Sequence, residues 1–218
     1  AFFGGVLMVL RKLVGLLACT LILGSSFAMA GVPDLQESTA SLATGGTNLV
    51  LLNRPDGTGN GFEFAKDING DTYSAVITLY VRDAGGAPVV GYPSEDMWLV
   101  SADGGLAPCP GGNVADFSTD ATGMTEWRNP MGAGGYSEDL CQVVINGDAL
   151  TSQVGMDLYF NSPDIDGNLA VGLTDLSAFT PVYFGAYHMK ADFDYNNAVG
   201  ITDLTAFTNA YFNDAGCQ

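Results

Sequence analysis

Two stretches of the chain carry oxygen-bearing side chains in the same order and at the same spacing. "DIDGNLAVGLTD" spans residues 164–175, and "DFDYNNAVGITD" follows at an interval of 28 residues, spanning 192–203. Each has a carboxylate at its first, third and twelfth residues and an amide at its fifth. Three carboxylates brought together repel one another unless a cation lies between them. The spacing therefore predicts a divalent cation site in each stretch, and oxygen ligands suit Ca²⁺.

The spacing is that of an EF-hand-type loop. Such loops supply side-chain oxygens at positions 1, 3 and 5, a backbone carbonyl at position 7 and a bidentate carboxylate at position 12. We therefore predict two calcium ions as cofactors. In the first loop (164–175) the expected ligands are the side chains of Asp164, Asp166, Asn168 and Asp175 and the carbonyl of Ala170. In the second loop (192–203) they are the side chains of Asp192, Asp194, Asn196 and Asp203 and the carbonyl of Ala198.

The two loops differ at position 6, which is usually glycine because the chain turns sharply there. Position 6 is Leu169 in the first loop and Asn197 in the second. Asn tolerates the left-handed conformation, whereas Leu adopts it at a cost of about 1–2 kcal/mol. The second loop is therefore expected to suit calcium better. Val171 and Val199, at position 8, are expected to point into the core and to pair the two loops.

A helix is predicted to follow each loop. "TDLSAFTPVYF" and "TDLTAFTNAYF" align at the same offset and place Leu and Phe three residues apart, on one helix face. Thr174 and Thr202 are expected to cap these helices, and Pro181 is expected to end or kink the first. The loop–helix–loop–helix unit, residues 163–212, resembles the type I dockerin module of cellulosomal and related bacterial surface proteins.

This resemblance implies a role in protein–protein assembly. In dockerins the duplicated calcium loops fold the module, which then binds a cohesin domain on another protein. The resemblance implies that the partner contacts positions 10 and 11, which are half apolar here although dockerins commonly carry polar residues there. The implied partner is a cohesin-like protein, another surface component or further copies of this chain. The implied partner-binding residues are Leu173, Thr174, Ile201 and Thr202.

Upstream of this unit, residues 48–160 favour β-strands. The segments are short, mostly alternating and separated by glycine-rich turns: "NLVLLN", "GFEFA", "YSAVITLYVRD", "DMWLVS", "MTEWRN", "LCQVVING" and "GMDLYF". Two landmarks, "VRDAGGAPVVG" (81–91) and "STDATGMTEW" (118–127), resemble bacterial immunoglobulin-like domains of the invasin and intimin type. The predicted fold class is mainly β: an immunoglobulin-like β-sandwich, implied to be a spacer or binding module, followed by a small α-helical dockerin-like module at 161–218.

Residues 1–30 predict an export signal. Arg11 and Lys12 precede an apolar run, and small residues up to Ala30 fit cleavage after that residue. The alternative is a retained hydrophobic anchor or assembly helix, although the charged pair leaves apolar pieces shorter than the roughly 20 residues that span a bilayer. The protein is predicted to be secreted, extracellular or at the cell surface, without a stable membrane span in the mature chain. Residues 31–47, small and polar, are predicted to be a linker or flexible arm.

Export would allow disulfide bonds to form. Cys109 and Cys141 lie in the same predicted β domain and are predicted to pair, with a stabilisation of about 3–4 kcal/mol. Cys217 is then left over. It has three alternatives: a free thiol, a bond to one of the other two cysteines, or a bond between chains.

Charge narrows the classes of partner. The formal net charge is −17, and such a surface repels nucleic acid phosphates and anionic membranes, which we exclude as partners. Carboxylate pairs such as Glu95–Asp96 arise by chance among 24 acidic residues, and we predict that the protein is not an enzyme.

The function predicted from these features is structural. We expect a non-catalytic exported or cell-surface protein that assembles with partners through its calcium-binding module. One alternative is a subunit of an extracellular filament or layer, in which the arm 31–47 or the strand "NLVLLN" completes a neighbour's sheet. Another is a carbohydrate-binding or carbohydrate-active accessory protein.

Overall fold

The computed structural model describes residues 31–44, 48–213 and 215–217. The predicted export signal at 1–30 lies outside the described residues, as does the end of the predicted arm at 45–47. The described part of the chain is mainly β, as expected. Its strands are β1 (Thr39–Leu42), β2 (Leu49–Leu52), β3 (Ala65–Lys66), β4 (Thr72–Tyr73), β5 (Ile77–Tyr80), β6 (Met97–Ser101), β7 (Leu106–Pro108), β8 (Met124–Trp127), β9 (Ala133–Gly135), β10 (Cys141–Ile145), β11 (Asp148–Ala149) and β12 (Leu158–Asn161).

The strands form four sheets, in the orders β1-β5-β8, β11-β10-β6, β12-β2-β3-β4 and β7-β9. Strands β2 and β12 pair in parallel, whereas the other ladders between named strands are antiparallel. The predicted segment "GFEFA" instead forms a 3-10 turn at Phe62–Phe64 before the short β3. Only Phe62 of its two phenylalanines is buried, so the alternation of apolar residues does not mark a half-buried strand.

Strands β1–β12 make up what we call the β region. Within it, strand β2 packs both against the other strands and against the repeated loops. Its four residues are all buried, and successive side chains point to opposite faces of the strand. Leu49 and Leu51 pack into the core of the β region, whereas Val50 and Leu52 pack into a second core with the loops and helices. Residues 31–218 cluster as one compact unit. The boundary between 48–160 and 161–218 stays a prediction, and β2 lines the cores on both sides of it.

Two helices follow the two loops. Helix α1 spans Leu173–Tyr183 and helix α2 spans Ile201–Phe212. Phe179 of α1 stacks on Phe207 of α2 with ring centroids 5.2 Å apart, at the centre of the second core. The expectation that Pro181 ends or kinks α1 was wrong about the end, because the helix continues to Tyr183. Among the residues that the structure describes, no helix is long and apolar enough to cross a membrane.

The predicted arm at 31–47 is in part a strand of the β region. Residues 39–42 form β1, which pairs along its length with β5, and the Asp34 N–H donates to the Arg82 carbonyl at 2.7 Å. The prediction of a linker was wrong for these residues. An edge strand is held by backbone hydrogen bonds, which do not depend on side-chain composition. A strand made of small polar residues therefore shows no apolar pattern in the sequence by which it could be predicted. "NLVLLN" is likewise paired within the chain, between β12 and β3.

The predicted Cys109–Cys141 disulfide is wrong. Cys109 is bonded to Cys217, and Cys141 is a free, buried thiol whose pKa is raised by burial. The reason is topological: Cys141 begins β10 and points into the core of the β region, whereas the C-terminus returns to the end of β7. The bond closes a separation of 108 residues, and a loop of that size contributes roughly 4–5 kcal/mol on the chain-entropy model.

Candidate metal centre

The two loops have the same internal hydrogen bonds at their first aspartate. The Asp164 carboxylate accepts the N–H of Leu169 at 2.9 Å, and the Asp192 carboxylate accepts the N–H of Asn197 at 3.0 Å. In both loops the acceptor is position 1 and the donor is position 6. In each loop this hydrogen bond closes a turn of the backbone around the side chain of the aspartate at position 1.

The aspartate at position 12 joins each loop to the start of its helix. Asp175 accepts the N–H of Gly172 at 2.8 Å, and Asp203 accepts the N–H of Gly200 at 2.8 Å. The glycines are the N-caps, so the expectation that Thr174 and Thr202 cap the helices was wrong. A carboxylate at the third helical residue has this role because it satisfies a free backbone donor and lies in the first turn.

Each loop gathers its three carboxylates at one point. Carboxylate oxygens of Asp164, Asp166 and Asp175 lie within 4.8 Å of one another, as do those of Asp192, Asp194 and Asp203. We call these the first and second carboxylate triads. In each triad the aspartates at positions 1 and 12 are fully buried. The sequence predicted which carboxylates converge, and the structure brings them together.

The triads carry unfavourable negative charge. Burial, together with the neighbouring carboxylates of Asp175 and Asp166, raises the pKa of Asp164 to about 6. Burial also raises the pKa values of the other fully buried members of the triads: Asp175, Asp192 and Asp203. A cation between the oxygens would favour the ionised carboxylates and reverse these shifts. All-oxygen triads of this kind can hold a hard divalent cation.

The remaining predicted ligands lie on the exposed side of the loops. Asn168 and Asn196 are exposed and bond within their own loops: the Asn168 Oδ1 accepts the N–H of Ala170 at 3.1 Å, and the Asn196 Nδ2 donates to Asp194 at 3.0 Å. Ala170 and Ala198 are also exposed. The converged part of each candidate site is therefore the carboxylate triad.

Position 6 has the left-handed conformation in both loops, with φ of 73° at Leu169 and 63° at Asn197. Leu adopts this conformation at a cost of about 1–2 kcal/mol, and Asn adopts it at a lower cost.

We expect Leu169→Asn to raise the free energy of unfolding by about 1 kcal/mol. The reciprocal change, Asn197→Leu, should lower it by a similar amount. Urea unfolding of both variants in excess calcium tests this, and a loss of stability on Leu169→Asn would contradict it.

Gly134, a residue without any chemical signature in the sequence, leaves space for one carboxylate of the first triad. It lies in β9, and a Cβ built on it would meet the Asp164 Oδ2 at 1.7 Å. The neighbouring Gly135 donates its N–H to the Asp164 carbonyl. The buried carboxylate of Asp164 thus occupies the space that a side chain at residue 134 would fill.

The second triad rests on two residues that the sequence analysis also missed. Asn161, the last residue of β12, donates through Nδ2 to the Asp192 carbonyl at 2.9 Å and to the Met189 carbonyl at 2.7 Å. The Tyr187 hydroxyl donates to the Asp192 carboxylate at 3.0 Å, and burial raises the pKa of that hydroxyl. β12 and the turn before the second loop therefore fix the first aspartate of that loop.

Val171 is buried in the second core and Val199 is half-buried against it, as expected, and the pairing of the two loops through these side chains stays a prediction. The backbone N–H of Val171 donates to the Ala215 carbonyl at 3.0 Å. The first loop is paired with the C-terminal segment (215–217), because the disulfide brings that segment back to β7 beside the loop.

The predicted partner-binding residues lie at the start of α1 and α2, and all are exposed: Leu173, Thr174, Ile201 and Thr202.

Comparisons with known proteins give little further information. No family model matches this chain, and no curated protein matches it. A solved structure that does match is described as the crystal structure of the Lin-41 filamin domain, with 14% sequence identity over 58% of this chain and 95% of that chain. Its TM-score is 0.30, so this likeness carries no argument about fold or function.

Proposed function

We propose that this protein is a non-catalytic, exported structural or cell-surface component whose C-terminal region binds two calcium ions and mediates assembly with another protein. In this proposal the β region is an immunoglobulin-like sandwich and residues 161–218 are a dockerin-like module. The observation that carries the proposal is the duplication of the carboxylate triad within one hydrogen-bond pattern. A duplicated site argues for a ligand common to both copies.

Calcium is the cation that fits the two triads best. Each triad offers three carboxylates from a single loop, and Ca²⁺ accepts six to eight oxygens in flexible geometry. Mg²⁺ demands a near-ideal octahedron and releases its waters reluctantly. The surplus of acidic residues over basic ones, with a net charge of −17, would also raise the local concentration of divalent cations.

Exposed apolar side chains at equivalent positions of the repeat support the assembly role. Leu173 and Ile201 stand at equivalent positions of the repeat and are each 69% exposed. Phe184 and Phe212, at the other ends of the helices, are 81% and 80% exposed. Because each exposed apolar side chain recurs at the equivalent position of the other copy, both copies of the repeat offer a partner the same apolar contacts.

Calcium titration of the purified protein, followed by helical circular dichroism and by particle size, tests this proposal. A gain of helix at constant size is the result expected for a docking module that awaits a partner. Growth of particles would favour the alternative of a self-assembling filament or layer. Leu173→Ser combined with Ile201→Ser should then abolish the growth, while the number of bound calcium ions stays at two. The absence of any response to calcium would contradict both.

A further inference from the structure

The C-terminal segment (215–217) lies alongside the first loop as a short strand. The Cys217 N–H donates to the Leu169 carbonyl at 3.2 Å, and the Val171 N–H donates to the Ala215 carbonyl. Between these bonds, Ala170 and Gly216 face each other as an antiparallel bridge. The segment therefore holds the backbone on both sides of Ala170, which is position 7 of the loop.

These bonds determine the direction of the Ala170 carbonyl. The C=O and the N–H of one trans peptide unit point in opposite directions. The Leu169 carbonyl and the Val171 N–H point to the C-terminal segment, so the Ala170 N–H and the Ala170 carbonyl, which share those two peptide units, point away from it. There the Ala170 N–H meets the Asn168 Oδ1 within the loop. The Ala170 carbonyl, the position-7 ligand, faces the same side.

The disulfide fixes the C-terminal segment to the β region. Cys217 is bonded to Cys109, whose side chain is buried and whose N–H donates to the Gly132 carbonyl at 2.9 Å. Gly132 directly precedes β9, the strand whose Gly134 makes room for Asp164. The disulfide therefore ties the segment behind Ala170 to Cys109, and a backbone hydrogen bond ties Cys109 to the residue that precedes the strand behind Asp164. The second loop has no disulfide link of this kind in the described part of the chain.

We propose that the disulfide-held segment 215–217 positions the Ala170 carbonyl as a ligand of the first calcium site. Opening the Cys109–Cys217 bond then lowers calcium affinity at the first site and leaves the second site unchanged. This inference rests on the proposed calcium-binding function. It makes Cys109, Gly216 and Cys217 positioning residues for the first site, although none of them belongs to the loop.

The two sites provide controls for each other. Asp203→Asn leaves the first site as the one to titrate, and Asp175→Asn leaves the second. Cys217→Ser added to Asp203→Asn should weaken calcium binding roughly tenfold, equivalent to about 1.4 kcal/mol. Added to Asp175→Asn, it should change the affinity by less than about twofold. Isothermal titration calorimetry measures both affinities.

Chemical reduction tests the same link without a substitution. A water-soluble trialkylphosphine reduces the disulfide to two thiols; phosphorus gives up two electrons and takes the oxygen of one water, whose two hydrogens end on the sulfurs. Reduction should reproduce the selective loss at the first site. Unchanged affinity at the first site after the bond is opened would overturn the inference, as would equal weakening at both sites. Absence of calcium binding in the oxidised protein would instead overturn the proposed function.

Discussion

Replacing Asp203 and Asp175 by asparagine together is expected to abolish the calcium-dependent part of this protein's stability. Each substitution keeps the size of a buried side chain but removes one of the three charges in a triad. At a free calcium concentration one hundred times its dissociation constant, each site adds about 2.7 kcal/mol, so the double variant should lose about 5 kcal/mol. The measurement is urea unfolding in calcium and in chelator, with the difference between the two conditions compared across variants.

The single variants and a charge control make this result specific. Asp203→Asn and Asp175→Asn alone should each lose about half of the calcium-dependent difference. Asp148→Asn removes one exposed carboxylate from β11 and should leave the difference intact. In chelator the double variant should also lose stability, because each carboxylate accepts backbone N–H groups through both of its oxygens and an asparagine keeps one acceptor oxygen. The calcium-dependent difference, and not the absolute stability, is therefore the quantity to compare. A double variant that keeps the full difference would contradict the assignment of the triads.

Gly134→Ala is the second substitution with a large expected effect. The new Cβ would lie 1.7 Å from the Asp164 Oδ2, so the strand or the carboxylate must move. We expect calcium affinity at the first site to fall at least about tenfold, equivalent to about 1.4 kcal/mol. Crowding of a packed site should also cost about 1–3 kcal/mol of overall stability. Calorimetric titration of Gly134→Ala in the Asp203→Asn background measures the first site alone.

A matched alanine separates this steric effect from the loss of a glycine. Gly172 lies within the first loop, and a Cβ there would meet its nearest neighbour, the Asp175 Oδ2, at 3.9 Å. Gly172→Ala should therefore change the affinity of the first site by less than about threefold. In the Asp175→Asn background, Gly134→Ala should leave the second site unchanged. Comparable losses for the two alanine variants would show that the space beside Asp164 is not the cause.

The sequence was sufficient to predict the carboxylate triads because their geometry is local. Asp164 and Asp175 are the first and last residues of the first loop, and the first turn of α1 places the Asp175 carboxylate beside the Asp164 carboxylate. The left-handed conformation at position 6 is equally local: the spacing requires it, and both Leu169 and Asn197 adopt it. Repetition after 28 residues made each of these patterns recognisable.

The missed features depend on contacts between distant parts of the chain. Gly134 supports Asp164 by having no side chain, and nothing in the sequence "GAGG" distinguishes it from the neighbouring glycines. Asn161 resembles any polar residue at the end of a strand until its bonds to the second loop are seen. The disulfide was mispredicted because the positions of cysteines along a chain do not report which two meet in space.

A count of bound calcium ions tests the central claim most directly. Native mass spectrometry of the purified protein, with and without a calcium chelator, gives the number of ions that each molecule binds. We expect two calcium ions per chain, one in the Asp175→Asn variant, one in the Asp203→Asn variant and none in the double variant. A protein that binds no calcium, or a double variant that still binds two ions, would contradict the account.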